Sequence, residues 1–124
     1  MKDGGYTRYY AARFITPEEK MILSIIRKEL PRTIVLFIME RGVARNTDLS
    51  NAFNVSGATI SYHLKRMVEK NILSVRQSGR ERIYEIKNPE AVMDVLIKYR
   101  KSFADALTDK IIRSWTLKKE RGKK

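Results

Sequence analysis

The sequence predicts a mostly helical α+β fold, with helices gathered around one two-stranded hairpin. Apolar residues recur at helical spacing along most of the 124 residues. One stretch, ILSVRQ, SGR, ERIYEI at residues 72–86, alternates instead around Gly79. Cap-forming Ser, Thr and Asn, with Pro or Gly beside them, separate the segments. The length suits one domain, with a core only just large enough for independent stability.

Residues 1–15 place Gly4, Gly5, Tyr6, Tyr9, Tyr10 and Phe14 among basic residues without periodicity, which reads as an arm whose aromatics dock on the body, with disorder of its first few residues as the alternative. Thr16-Pro17-Glu18-Glu19 is a helix start. Thr16 accepts from a free backbone N–H, Pro17 lacks an N–H that would go unused, and Glu19 reaches back. The first helix is expected from Pro17 to Glu29, with Met21, Ile22, Ile25 and Ile26 as its apolar stripe. Pro31 then restarts the chain as a second helix to Arg41, closed by Gly42 and buried on most sides through IVLFIM.

Asn46 or Thr47 is expected to cap a short helix ending at Phe53, with Leu49, Ala52 and Phe53 inward. Asn54 tolerates a left-handed turn, and Ser56 caps a longer helix from Gly57 to Lys70 with Ile60, Leu64, Met67 and Val68 inward. Two helices so joined cross steeply, as in a helix-turn-helix. In the hairpin, Leu73, Val75, Tyr84 and Ile86 supply the inward alternation. Asn88-Pro89-Glu90 starts a last helix. Val92, Leu96, Tyr99, Phe103, Leu107 and Ile111 draw one stripe down it, and a helix continuing to Leu117 would be ~40 Å long. Helix, turn, helix, then hairpin is the order of a winged helix-turn-helix with a two-stranded wing, here with N-terminal and long C-terminal helices for dimerisation. The expected division is an arm at 1–15, the winged domain with its flanking dimerisation helices at 16–117, and a basic tail at 118–124.

The chain carries 26 Lys and Arg against 14 Asp and Glu, a net charge of +12, which favours polyanionic partners such as nucleic acid or an anionic membrane surface. The excess is concentrated: residues 57–87 hold seven basic and three acidic side chains, and residues 110–124 hold seven and one. Segments 30–56 and 88–109 are nearly balanced, so the charge collects on the second helix of the pair, the hairpin and the tail. A uniform solubility coat would look different.

The run SGATISYHLKRMVEKNIL, followed by a hairpin with SGRERIYEI, resembles the winged-helix repressors of the ArsR type over residues 30–103. Its most specific part is Ser56, Thr59, Ile60, Ser61, His63, Leu64 and Lys65, then Asn71-Ile72-Leu73, where that family usually has Gly at the first position. The resemblance implies that the helix Gly57 to Lys70 enters the major groove, that the hairpin tip touches backbone or minor groove, and that helices before and after the motif pair two subunits. Metal-sensing members use Cys, or His with carboxylates. This chain has no Cys and one His, His63, so zinc, arsenite and thiol sensing do not carry over. The stretch VLIKYRKSFADALTDKIIRSW is also similar to the segment after the wing in archaeal winged-helix proteins, some of them tandem or membrane-linked, which implies one domain of a longer polypeptide.

With the apolar face inward, helical geometry turns Ala58, Thr59, Ser61, Tyr62 and Lys65 outward as base-edge candidates behind Ser56 and Gly57 at the helix start. Arg66, Arg76, Arg80 and Arg82 suit phosphates, with Arg80 at the tip reaching the minor groove. The alternative for both sets is a solvated face. His63 reads as a packed or phosphate-facing residue, since one imidazole without His or Cys neighbours neither holds a metal nor forms a triad. Dimerisation is assigned to Ile22, Ile25 and Ile26 on the first helix with Val92, Leu96, Tyr99, Phe103 and Leu107 on the last.

These features point to a sequence-specific regulator of transcription that binds double-stranded DNA as a homodimer, most simply a repressor. A non-specific architectural DNA binder and a winged-helix protein-interaction adaptor are the alternatives. An enzyme is not expected: there is no phosphate loop, no Cys and no recognisable pair of catalytic carboxylates. Neither cofactor nor metal is expected. The absence of Cys excludes disulfides and thiolate chemistry. No apolar run approaches the ~20 residues of a membrane span, so a cytoplasmic location without membrane contact is the expectation.

Overall fold

A computed structural model of the chain describes residues 16–103 and 106–122. The expected arm at 1–15 lies outside the described residues. Helix α1 (Pro17–Ile26) starts with the predicted reciprocal cap: Glu19 N donates to Thr16 Oγ1 at 3.1 Å, and Thr16 N donates to Glu19 Oε1 at 3.3 Å. It stops at Ile26, short of the expected Glu29. The reason sits on α2 (Glu29–Arg41), whose buried Arg32 folds back and donates to the Ile26 and Arg27 carbonyls at 3.0 and 3.3 Å. Pro31 lies within the first turn of α2, where its missing N–H leaves no intrahelical bond unmade. Gly42, with φ 93°, closes the helix as expected.

Helix α3 (Asn46–Phe53) differs from expectation at its start. Arg45, rather than Asn46 or Thr47, is the extended residue before the first turn, and Asp48 Oδ2 accepts from Arg45 N at 2.9 Å. Leu49 is fully buried and Phe53 packs edge-on to Phe37 with ring centroids 5.3 Å apart, but Ala52, expected inward, is exposed. The turn runs through Asn54 at φ 54°. Ser56 Oγ then accepts from Thr59 N at 3.1 Å to start α4 (Gly57–Glu69), whose Ile60, Leu64 and Met67 are buried and Val68 half-buried. Asn71 follows at φ 67°, a left-handed conformation that asparagine adopts more readily than other residues with a Cβ.

Strands β1 (Leu73–Ser78) and β2 (Glu81–Ile86) pair antiparallel, Leu73 opposite Ile86 and Ser78 opposite Glu81. The loop is the pair Gly79-Arg80, with Gly79 at φ 62°, the placement of glycine that a type II′ hairpin uses. Leu73, Tyr84 and Ile86 are buried as expected, whereas Val75 is 41% exposed. The asymmetry has a cause: Ala44 and Tyr84 exchange backbone hydrogen bonds of 3.0 and 2.8 Å, so the loop after α2 shelters β2 and leaves β1 as the open edge.

Asn88 Oδ1 accepts from Ala91 N at 3.2 Å to cap α5 (Pro89–Lys98). The single long terminal helix is corrected. The chain breaks at Tyr99, forms the short α6 (Arg100–Phe103), and continues as α7 (Ala106–Gly122), which packs back on α2 and α5. Arg100 Nε lies 2.9 Å from Asp109 Oδ1. Nine residues apart on a straight helix is about 13 Å of rise, so that pair forms only because the chain turns. Ile111 and Ile112 join the core, and Arg32 lies over the Phe103 ring with its guanidinium carbon 5.0 Å from the centroid. Among the described residues no helix is long and apolar enough to cross a membrane.

Candidate nucleic-acid interface

The apolar face of α4 is consumed by the core, which leaves its opposite face bare. Ser56, Gly57, Ala58, Thr59, Ser61, Tyr62, Lys65 and Arg66 are all exposed, as are Arg76, Arg80 and Arg82 on the wing. These residues do not form one uniform patch. Gly57, Ser61, Arg80 and Arg82 line a groove of about 580 Å³ between α4, the start of α3 and the hairpin. Tyr62 and Arg66 lie on the flank toward α1, with His63, Lys28 and Pro31. Arg76 pairs with Ile83 and Arg82 with Gln77, so successive side chains put Arg76 on the hairpin face away from the groove.

The groove also contains residues that sequence spacing does not single out. Asn46 Nδ2 donates to Ser61 Oγ at 2.8 Å and to the Gly57 carbonyl at 3.2 Å. Arg45 Nη1 lies 2.7 Å from Glu81 Oε1 and its Nη2 lies 3.3 Å from Asp48 Oδ1. Hydrogen bonds to Asp48 and Glu81 raise the Arg45 pKa further above its ordinary value. The Arg45 backbone N–H and guanidinium in turn hold Asp48 below the ordinary carboxylate value of 3.8. Gln77, whose Nε2 donates to the Gly79 carbonyl at 3.1 Å, braces the wing tip. No local signal pairs Asn46 with Ser61 or Arg45 with Glu81, because these contacts join segments 15 and 36 residues apart.

On the flank, Tyr62 is 57% exposed, with the Arg66 guanidinium carbon 6.0 Å from its ring centroid and Arg66 Nη1 3.5 Å from its hydroxyl. His63 meets Tyr62 edge-on at 5.2 Å and is half-buried. Burial first, then the charges of Arg66 and Lys28, push its pKa below 6.5. Among the described residues, no three His, Asp or Glu side chains gather in a way that could hold a metal ion.

The stripe assigned to dimerisation lies elsewhere than on an open surface. Ile22, Ile25, Ile26, Val92, Leu96 and Phe103 are buried in the core of a single chain, because α1 packs on α2 and α5 and the returning α7 packs on the same two helices. Tyr99 and Leu107 are half-buried.

Three core helices, a fourth helix with an outward polar face and a two-stranded hairpin define a winged helix-turn-helix. The family model for the bacterial regulatory protein, arsR family, matches residues 31–75, which run from α2 through α4 into β1. No curated protein matches the chain. Among solved structures, the AntR antimony-specific transcriptional repressor aligns with a TM-score of 0.59 at 19% identity, covering 68% of this chain and 79% of that one. The transcriptional repressor PagR of Bacillus anthracis gives 0.57 at 21% identity over 64% and 91%. A MarR protein from Peptoclostridium difficile gives 0.54 at 13% identity but covers 96% of this chain and 82% of its own. At these identities the likeness is one of fold.

Proposed function

We propose that this chain is a transcription regulator that binds double-stranded DNA sequence-specifically as a homodimer and represses by occluding a promoter. The observation that carries the reading is the exposed start of α4 standing beside the Arg80 and Arg82 side of the wing across one groove. The family match over residues 31–75 supports the same reading. Short side chains at Gly57, Ala58 and Ser61 allow close approach of the helix to base edges, and the wing arginines neutralise phosphates. Two copies place their reading helices in successive major grooves, ~34 Å apart. Pairing uses the half-exposed Tyr99 and Leu107 together with the exposed Ile97 of α5, since the rest of the stripe is enclosed within one chain.

Selection of binding sites from random duplexes, with the mass of the free protein measured in solution, tests the proposal. An inverted repeat and a dimer mass are expected, and Ser61→Ala or Tyr62→Ala changes the preferred sequence. Uniform binding to all duplexes points to an architectural role, and no binding overturns the reading.

A further inference from the structure

Resting on the DNA-reading role proposed for α4, we infer that Asn46 sets the polarity with which Ser61 meets a base: it makes the Ser61 hydroxyl a hydrogen-bond donor. A serine inside a helix ordinarily has internal outlets for its hydroxyl hydrogen, the carbonyls three and four residues earlier, as Ser24 uses the Met21 carbonyl at 2.6 Å. For Ser61 these belong to Ala58, to which its hydroxyl makes no bond, and to Gly57. The Gly57 oxygen has two lone pairs; helical geometry gives one to Ser61 N–H, and Asn46 Nδ2 donates to the same oxygen at 3.2 Å. The second amide hydrogen of Asn46 goes to Ser61 Oγ at 2.8 Å.

The orientation of the amide is not arbitrary. The Gly57 carbonyl only accepts, so the atom of Asn46 facing it must be the nitrogen. Ser61 Oγ therefore receives a hydrogen from one side, its usual acceptor is saturated, and among the described residues no other acceptor takes its own hydrogen. That hydrogen is directed into the groove. Once water is excluded, an acceptor on the base edge satisfies it: N7 or O6 of guanine, N7 of adenine, or O4 of thymine. A cytosine amino group does not. Asn46 is thus a positioning residue for specificity, available for this because Arg45 and Asp48 supply the cap of α3.

The test is selection from random duplexes with the full chain, wild type beside Ser61→Ala, Asn46→Ala and Asn46→Asp. Ser61→Ala marks the base pair that Ser61 touches. Without the amide, the hydroxyl of Asn46→Ala turns back to the Gly57 carbonyl and shows its oxygen outward; in Asn46→Asp a carboxylate takes the hydrogen with the same result. Both variants are expected to lose about tenfold discrimination in favour of acceptor edges at that one base pair and to shift toward amino-bearing edges. The added charge of Asn46→Asp weakens all sequences alike, and an acidic residue in the first turn favours the helix, so this variant folds even where alanine loosens α3. A wild-type motif that both Asn46 variants leave unchanged at the Ser61 position overturns the inference alone. A wild-type selection with no motif overturns the sequence-specific reading and the inference together.

Discussion

Arg45 Nη1 lies 2.7 Å from Glu81 Oε1, and this pair joins the start of α3 to the first residue of β2 across the groove. Glu81 places an anion on a cation-lined surface proposed to meet phosphates. Glu81→Gln should therefore tighten binding to every duplex, by about three- to tenfold at 0.1 M salt, because one repulsive charge disappears and Arg45 is released to DNA. Thermal stability should barely change, since an exposed pair of this kind contributes little. Anisotropy titrations across salt concentrations check this; weaker binding would mean that the pair serves to aim the wing.

Arg80 and Arg76 should behave differently although both are exposed arginines of the same hairpin. Arg80→Ala is expected to weaken all sequences alike and to reduce the log–log salt slope by ~0.9, the loss of one phosphate contact. Arg76 lies on the face away from the groove, so Arg76→Ala should leave the slope closer to wild type. Equal slopes for the two variants would place the duplex differently on the wing.

Leu64, on the inward face of α4, is fully buried. Leu64→Ala should cost about 2–5 kcal/mol in denaturant unfolding, from lost transfer energy and the cavity left behind. Ala52→Ser, at an exposed position of α3, should stay within about 0.5 kcal/mol.

Arg32 closes the C-terminal end of α1 and covers Phe103. Arg32→Ala leaves the Ile26 carbonyl, which is buried, and the Arg27 carbonyl, which is partly so, without that donor, and unfolding should become easier by about 1–3 kcal/mol. Lysine should restore only part of the loss, since an ammonium can donate to the carbonyls but lacks the flat guanidinium that lies over the Phe103 ring.

Two groups give stability a pH dependence of known sign. Asp48 has a folded pKa below its ordinary 3.8, so its contribution is present above that value and is lost as pH falls through the lowered one. His63 has a folded pKa below 6.5, so the unfolded chain binds the proton more readily and stability falls as pH drops from 6.5 toward the lowered value. Melting temperatures measured from pH 7 to pH 5 should fall less for His63→Gln than for wild type. Below pH 4, Asp48→Asn should show a shallower acid limb.

The elements whose instructions are local are legible in the sequence. Thr16-Pro17, Ser56, Asn88-Pro89, Asn54 and Gly79 each act within a few residues, through a cap, a left-handed turn or a hairpin loop, so composition and spacing suffice to place them. The same holds for the bare face of α4, because burying Ile60, Leu64 and Met67 forces Ser61 and Lys65 outward. The break in the terminal helix is not legible, since the apolar stripe keeps helical spacing through Tyr99 and no Pro or Gly marks the turn.

By itself, then, the chain determines which segments are helices, where the hairpin turns, which side of α4 is polar and where its positive charge gathers, all consequences of backbone preference and periodicity. Tertiary structure alone decides that α7 folds back over α2, so that Phe103 and Ile111 are enclosed within one chain rather than left for a partner. It alone brings Asn46 to Ser61 and Arg45 to Glu81. The physical reason is distance along the chain: partners 15 and 36 residues apart meet only after the core has chosen how its helices cross, and no local preference encodes that choice.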